Sequence, residues 1–183
     1  MAKAREIPGI DRDTPYALAA ARVVRVRSAE LIEHSHGVLD IADIERVHAM
    51  RVATRRLRAA LEVFGTCFPK AELKVALSEV KATADALGER RDRDVTLDAL
   101  TGFAKALAAP DRPGVASLAA RLRAEQAQAN EELAPFVDQA RLDALRDRLE
   151  SLVEASEKVA VTTASSNGEA PASEPGGESS EQA

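Results

Sequence analysis

The sequence predicts an all-α protein, an antiparallel bundle of five or six helices followed by a disordered acidic tail. The 183-residue chain is 45% hydrophobic but only 3% aromatic, and much of the apolar content is alanine, which favours closely packed helices over a β-sheet. Apolar residues recur at spacings of three and four, as on the buried face of a helix. Proline and glycine separate these periodic segments.

Residues typical of helix ends place the first two helices. Thr14 followed by Pro15 resembles a helix start, with threonine as N-cap and proline in the first turn. This helix is expected to run to about Gly37. Asp43 offers an N-cap for a second helix that ends at Gly65, because glycine tolerates the left-handed conformation common after a helix.

The remaining helices are bounded by proline and glycine as well. A third helix is predicted between Pro69 and Gly88, and a fourth over about 91–108, ending before the loop APDRPG. The last helical region, 115–160, contains Pro135, which removes a backbone donor and should break or kink it. These segments give five or six helices and no strand.

The two ends of the chain differ in composition from the helical part. We expect a flexible N-terminus over 1–13, a helical domain over 14–160, and a disordered tail over 161–183 that is rich in Ser, Gly, Pro and Glu. No apolar run is long enough for a signal peptide or a membrane span, and Cys67 has no cysteine to pair with. A cytoplasmic protein without a metal or other cofactor is therefore expected.

The stretch HAMRVATRRLR (48–58) is strongly basic although the chain has a net charge of −5. On a helix, one arc of about 80° holds His48, Arg51, Arg55 and Arg58, and Arg56 lies apart on the outer side. This arc lies beside an apolar stripe made of Val47, Met50, Leu57, Leu61 and Phe64. Like charges three or four residues apart destabilise a helix by a few tenths of a kcal/mol per pair, so the row indicates an anion-binding surface.

Further basic residues repeat this pattern on other helices. Lys70, Lys74 and Lys81 share one side of the third helix, and Arg22 and Arg25 adjoin on the first. If these sides converge with the arginine row, they form a basic groove. The alternative is that they are ordinary solvated charges, and the sequence leaves this open.

Two motifs resemble the CHAD domain, the conserved histidine α-helical domain. VHAMRVATRRLRAALEVF (47–64) is similar to the His/Arg helix of that family, and LGERRDRDV (87–95) is similar to its second motif, here carried by Leu87, Gly88, Arg91, Asp92, Asp94 and Val95. The resemblance covers about 14–160. A full CHAD domain has two such halves, whereas no histidine follows residue 100 here, so the chain looks like a half-length member.

The resemblance implies binding of inorganic polyphosphate without catalysis. It transfers the binding role to His48, Arg51, Arg55, Arg56, Arg58 and Arg91, and it implies an ion pair between Arg91 and Asp92. It also implies possible partners: a second copy that rebuilds the two-fold domain, a CYTH-type triphosphatase, or a polyhydroxyalkanoate granule. The chain itself lacks the alternating Glu-x-Glu-x-Lys strand of that hydrolase.

Other functions remain as alternatives. A structural scaffold, such as a granule-associated helical protein, could use the same arginines for assembly. Nucleic-acid binding is disfavoured by the few aromatic residues and by the acidic tail. Catalysis by His48 is disfavoured because no glycine follows it as in histidine phosphatases, and His34 and His36 lie on different helix sides, which makes a poor metal pair.

Overall fold

A computed structural model describes residues 4–167, with side chains up to residue 162. Within this range the chain forms five α-helices and no strand, which confirms the predicted all-α bundle. Short 3-10 turns follow α2, α3 and α4. The helices are α1 (Tyr16–Ser35), α2 (Ile44–Val63), α3 (Lys70–Ala106), α4 (Arg112–Leu133) and α5 (Gln139–Asn167).

Local side-chain contacts account for several helix ends. The carboxylate of Asp43 accepts a hydrogen bond from the Glu45 N–H at 3.3 Å and caps α2 as predicted. At α1 the N-cap position is taken by Pro15, while the Thr14 hydroxyl bonds to the Asp11 carboxylate at 2.8 Å. Pro135 lies in the 3-10 turn between α4 and α5, so the expected interruption is a complete break.

The predicted break at Gly88 is wrong, because α3 continues through it for 37 residues. A glycine inside a helix costs about 1 kcal/mol relative to alanine. Here the buried stripe of α3 continues from Leu87 across the glycine to Arg90 and Asp94, and this packing outweighs the local preference. The expected fourth helix is therefore the second half of α3, and Asp92 and Asp94 are not at a helix start.

The core lies between α1, α2, α5 and the first two thirds of α3. Helix α1 packs against both α2 and α5, and α3 packs against α2 and α5, so the four form a closed bundle. The fully buried side chains include Val24, Leu31, Met50, Leu57, Leu61, Leu87, Leu149 and Leu152. Cys67 packs against the edge of this core, and burial raises the pKa of its thiol.

Helix α3 extends well beyond this bundle. At 1.5 Å per residue it is about 55 Å long, whereas α1 and α2 are about 30 Å. Its distal part pairs with the first half of α4 to form a hairpin, residues 95–125, in which no side chain is buried. We call this segment the hairpin arm.

The chain ends differ from the expected boundaries. Of the segment 1–13 expected to be flexible, the described residues 4–13 contact α1, because the Arg5 N–H donates to the buried Glu30 carboxylate and Arg22 donates to the Gly9 carbonyl. Helix α5 continues past 160 to Asn167, and the rest of the expected tail, 168–183, lies outside the described residues. No helix in the described part of the chain is long and apolar enough to span a membrane.

Candidate functional site

The basic residues of α2 lie on an exposed strip beside its buried face. Arg51, Arg55 and Arg58 are exposed and His48 is half-buried. The adjoining stripe is buried at Val47, Met50, Leu57 and Leu61, so the helical angles predicted this arrangement. Phe64, expected to extend the stripe, follows the last turn of α2 and is only partly buried.

The residues of this strip differ in their partners. The Arg58 Nε donates to Glu62 Oε1 at 2.8 Å, one turn further along α2. The side chains of Arg51, Arg55 and His48 form no hydrogen bond or ion pair with any described residue. Arg51 and Arg55 are thus exposed cations one turn apart that the bundle does not neutralise.

Arg56 belongs to a different environment from the rest of the row. Its Nη1 lies 4.0 Å from Glu30 Oε1 on α1. Glu30 is buried and also accepts from the Arg5 N–H and from Arg27 Nη1, each at 2.6 Å. Burial alone would raise the pKa of Glu30, but these hydrogen bonds and the charges of Arg27 and Arg56 hold it below its ordinary value. Arg56 therefore helps to join α1 to α2.

Arg91 connects α3 to the start of α2. Its Nη1 donates to the Ile44 carbonyl at 3.1 Å, and its Nη2 lies 3.7 Å from Glu45 Oε1. The predicted ion pair with Asp92 is wrong, because the Arg91 guanidinium points to the start of α2 and Asp92 is exposed. Arg91 thus lies at the His48 end of the basic strip.

The antiparallel packing of α2 and α3 brings the lysine row beside the arginine row. The contact of Arg91 with Ile44, together with the short turn after α2, fixes the alignment of the two helices. With this alignment Lys81 lies level with the segment 51–55, and Lys74 lies level with residues near 60. Both lysines are exposed and have no ion-pair partner among the described residues.

The lysines of α3 lie on an exposed flank of that helix, next to the side that contacts α2 through Arg91. Lys70, Lys74 and Lys81 lie within about 100° of Arg91 around the helix axis. We define the α2–α3 basic face by Arg51, Arg55 and Arg58 on α2 and by Lys70, Lys74 and Lys81 on α3. Exposed acids also lie on or beside this surface, namely Glu62, which accepts from Arg58, Glu45, which pairs with Arg91, and Asp85 and Asp92 on α3.

Arg22 and Arg25 do not join the basic face. Arg25 lies between α1 and α5, where its Nη2 contacts Glu150 Oε1 at 2.7 Å and its Nη1 contacts Glu157 Oε1 at 2.8 Å. The hydrogen bonds that the Arg25 guanidinium donates to the carboxylates of Glu150 and Glu157 raise its pKa. Arg22 is occupied by the Gly9 carbonyl. The expected convergence is therefore wrong for these two arginines, and for the lysines it stays a prediction.

Sequence reasoning missed a buried polar cluster between α3 and α4. Arg90 Nη1 forms a short ion pair with Asp94 Oδ1, and Gln126 Nε2 donates to the same oxygen at 2.6 Å. All three side chains are buried, and burial lowers the pKa of the Arg90 guanidinium. The signal was the spacing of the α3 stripe, which continues at intervals of three and four through Ala76, Val80, Thr83, Leu87, Arg90 and Asp94.

No metal centre accompanies these residues. In the part of the chain that the structure describes, no group of three or more His, Cys, Asp or Glu side chains could hold a metal ion. The arrangement is instead an open, cationic surface along two helices. Such a surface can bind an anion by charge-assisted hydrogen bonds.

Comparison with known proteins identifies one family. The sequence model described as the CHAD domain matches residues 22–176, most of the chain. No curated protein and no solved structure matches the chain.

Proposed function

We propose that this chain, which belongs to the CHAD domain family, binds inorganic polyphosphate along the α2–α3 basic face. The family is in general one of binding domains linked to polyphosphate. The assignment of polyphosphate binding to the α2–α3 basic face is argued from residues of this chain.

The observation that supports the proposal best is the pair formed by Arg51 and Arg55. Both are exposed, one turn apart, and without a partner among the described residues. Two like charges at this spacing destabilise the helix by roughly 0.2–0.5 kcal/mol. A glutamate one turn before or after the pair would offset this repulsion. An external anion recovers this cost, since guanidinium groups bind phosphate oxygens through two parallel hydrogen bonds.

The shape of the face favours a chain of phosphates over a single phosphate group. From His48 to Arg58 the row rises about 15 Å along α2, and Lys74 and Lys81 lie along the same length of α3. An extended anion contacts these cations in succession, whereas an isolated phosphate contacts one or two. Inorganic polyphosphate carries a negative charge on each unit and is therefore the ligand that matches the face.

The same face supports binding and not catalysis. A catalytic histidine usually has a second group that orients its ring, and His48 has no such partner among the described residues. We assign His48 and Arg91 to the end of the face at which α2 begins, as donors to the phosphate chain. Arg91 also has a positioning role through its bond to the Ile44 carbonyl.

The first experiment is a calorimetric titration of the full chain with long-chain polyphosphate, DNA and RNA of matched charge, at two salt concentrations. We expect saturable binding that prefers polyphosphate at both concentrations. Absence of saturable binding would disprove the proposal. Equal affinity for the three polymers, lost together as salt rises, would reduce it to general counterion release.

The second experiment assigns the binding to the face. Arg51→Glu/Arg55→Glu removes two charge-assisted contacts, each worth about 1.5–3 kcal/mol, so we expect at least roughly a hundredfold loss of affinity. The matched control is Arg123→Glu/Lys158→Glu, which changes the net charge equally at two exposed positions on α4 and α5. Equal losses in both variants would contradict the assignment.

A scaffold function predicts a different result for the same variants. If the arginines served assembly, Arg51→Glu/Arg55→Glu would change the sedimentation of the protein without polyphosphate present. We expect its helix content and sedimentation to match those of the wild type.

A further inference from the structure

The hairpin arm leaves one side of α3 uncovered. Towards α4, the α3 residues Leu97, Leu100 and Ala104 are half-buried. The opposite side carries an exposed face within an arc of about 80°, formed by Val95, Ala99, Phe103 and Ala106. The two large members are 50% and 57% exposed. We call these four residues the outer face of the arm.

The outer face begins where α2 stops covering α3. The last described contact of α2 on this side joins Ile44 to Arg91, and the outer face starts one turn later, at Val95. Val95 and Phe103, the large side chains of the outer face, are exposed, so no described residue covers them. Exposed apolar side chains in a contiguous patch indicate an interaction surface.

We propose that the outer face binds the outer face of a second copy of this chain, with the two α3 helices antiparallel around a two-fold axis that crosses the interface at the level of residue 101. The proposal commits to a second copy because the face is complementary to itself. Three pairs of residues around Thr101 show this.

Two of these pairs match large side chains with small ones. Val95 and Ala106 lie at nearly equal distances from Thr101 in opposite directions, as do Ala99 and Phe103. In the antiparallel dimer Val95 therefore faces the partner's Ala106, and Phe103 faces the partner's Ala99. Each pair occurs twice because the interface is isologous.

The third pair is electrostatic. Asp98 and Lys105 flank the outer face on its Val95 side, about 60° and 80° from Val95 and within about 20° of each other around the axis. Neither has a partner among the described residues. The two-fold axis brings the same edge of both helices to one side, so Asp98 lies beside the partner's Lys105, and again the pair occurs twice. A parallel two-fold pairing would place this edge of the two helices on opposite sides of the interface, and Asp98 would not meet the partner's Lys105.

The size of the outer face sets the expected strength. Twelve residues of α3 give a contact about 18 Å long, which is short for a permanent dimer. We therefore expect reversible dimerisation at micromolar concentration. The proposal does not depend on polyphosphate binding, because the outer face contains none of the residues of the basic face.

Charge exchange tests the antiparallel pairing. Asp98→Lys alone and Lys105→Asp alone each place like charges across the two-fold, so both variants should sediment as monomers at concentrations where the wild type dimerises. An equimolar mixture of the two should form a heterodimer, because positions 98 and 105 then carry opposite charges at both contacts across the interface. Both positions are exposed, and circular dichroism verifies that the variants are folded.

A second pair of variants tests the apolar contact. Ala99→Glu should weaken dimerisation at least tenfold, while Ala120→Glu, at an exposed position of α4, should leave it unchanged. Both variants should keep the wild-type affinity for polyphosphate, which separates this proposal from the preceding one. A wild type that stays monomeric up to about 1 mM, or dimers that ignore both sets of variants, would overturn the proposal.

Discussion

Two arginine-bearing surfaces of this bundle look alike in sequence and differ in what surrounds them. On α1, Arg25 is neutralised by Glu150 and Glu157 of α5. On α2, Arg51 and Arg55 are exposed, and no described residue pairs with either of them. An arginine is therefore structural or available for a ligand according to the helix packed beside it. The following predictions test this difference, from the largest expected effect to the smallest.

The extreme case of a neutralised arginine is Arg90. Asp94→Ala removes the partner of a fully buried guanidinium, so we expect the free energy of unfolding to fall by about 3–5 kcal/mol. Denaturant unfolding followed by circular dichroism measures this. Asp85→Ala, at an exposed acid of the same helix, should change the stability by less than about 0.5 kcal/mol. A similar effect of both changes would show that the buried pair is not special.

Glu30 is the acid that neutralises Arg27 and Arg56. Glu30→Gln should lower the free energy of unfolding at neutral pH by about 1–3 kcal/mol, because buried donors lose a charged acceptor. The folded state lowers the pKa of Glu30 below its ordinary value of 4.5. Its contribution is therefore complete above about pH 4.5 and is lost as the pH falls through the lowered pKa.

The pH dependence is the measurement for Glu30. The difference in stability between wild type and Glu30→Gln should shrink as the pH is lowered from 7 to 3. Glu33→Gln, at a half-exposed acid on the same helix, serves as the control and should show a smaller difference throughout. A difference for Glu30 that is constant over this pH range would contradict the role assigned to its charge.

Arg25 tests the neutralised surface without touching the basic face. Arg25→Gln should lower the free energy of unfolding by about 1 kcal/mol, a modest value because the pairs are half exposed and solvent screens them. Polyphosphate affinity should stay within about twofold of the wild type. A large loss of affinity would mean that α1 contributes to the binding surface after all.

Arg58 allows the comparison to be made within α2. Glu62→Gln removes its ion pair, worth about 0.2–1 kcal/mol, and makes the guanidinium available to a ligand. We expect polyphosphate affinity to rise roughly two- to fivefold. The control in the same titration is Glu72→Gln, which changes the net charge equally but lies on α3. Unchanged affinity would indicate that Arg58 does not contact the ligand.

Part of the molecule followed directly from the sequence. The helical class, the cap at Asp43, the break at Pro135 and the basic strip beside the buried stripe of α2 are confirmed. Each depends on interactions within a few residues, or on the 100° turn per residue, which the sequence contains in full. The family was also predicted from the sequence, because its two motifs are contiguous stretches of residues.

Other features were decided by tertiary structure. Gly88 predicts a helix end, but α3 continues through this residue because Arg90 and Asp94 pack against Gln126. In the sequence Arg25 and Arg51 look alike, but Arg25 pairs with an acid 125 residues later in the chain. A sequence determines which face of a helix is basic because that depends on local geometry. Which helix lies against that face, and hence whether its charges remain available, depends on the burial of the whole core.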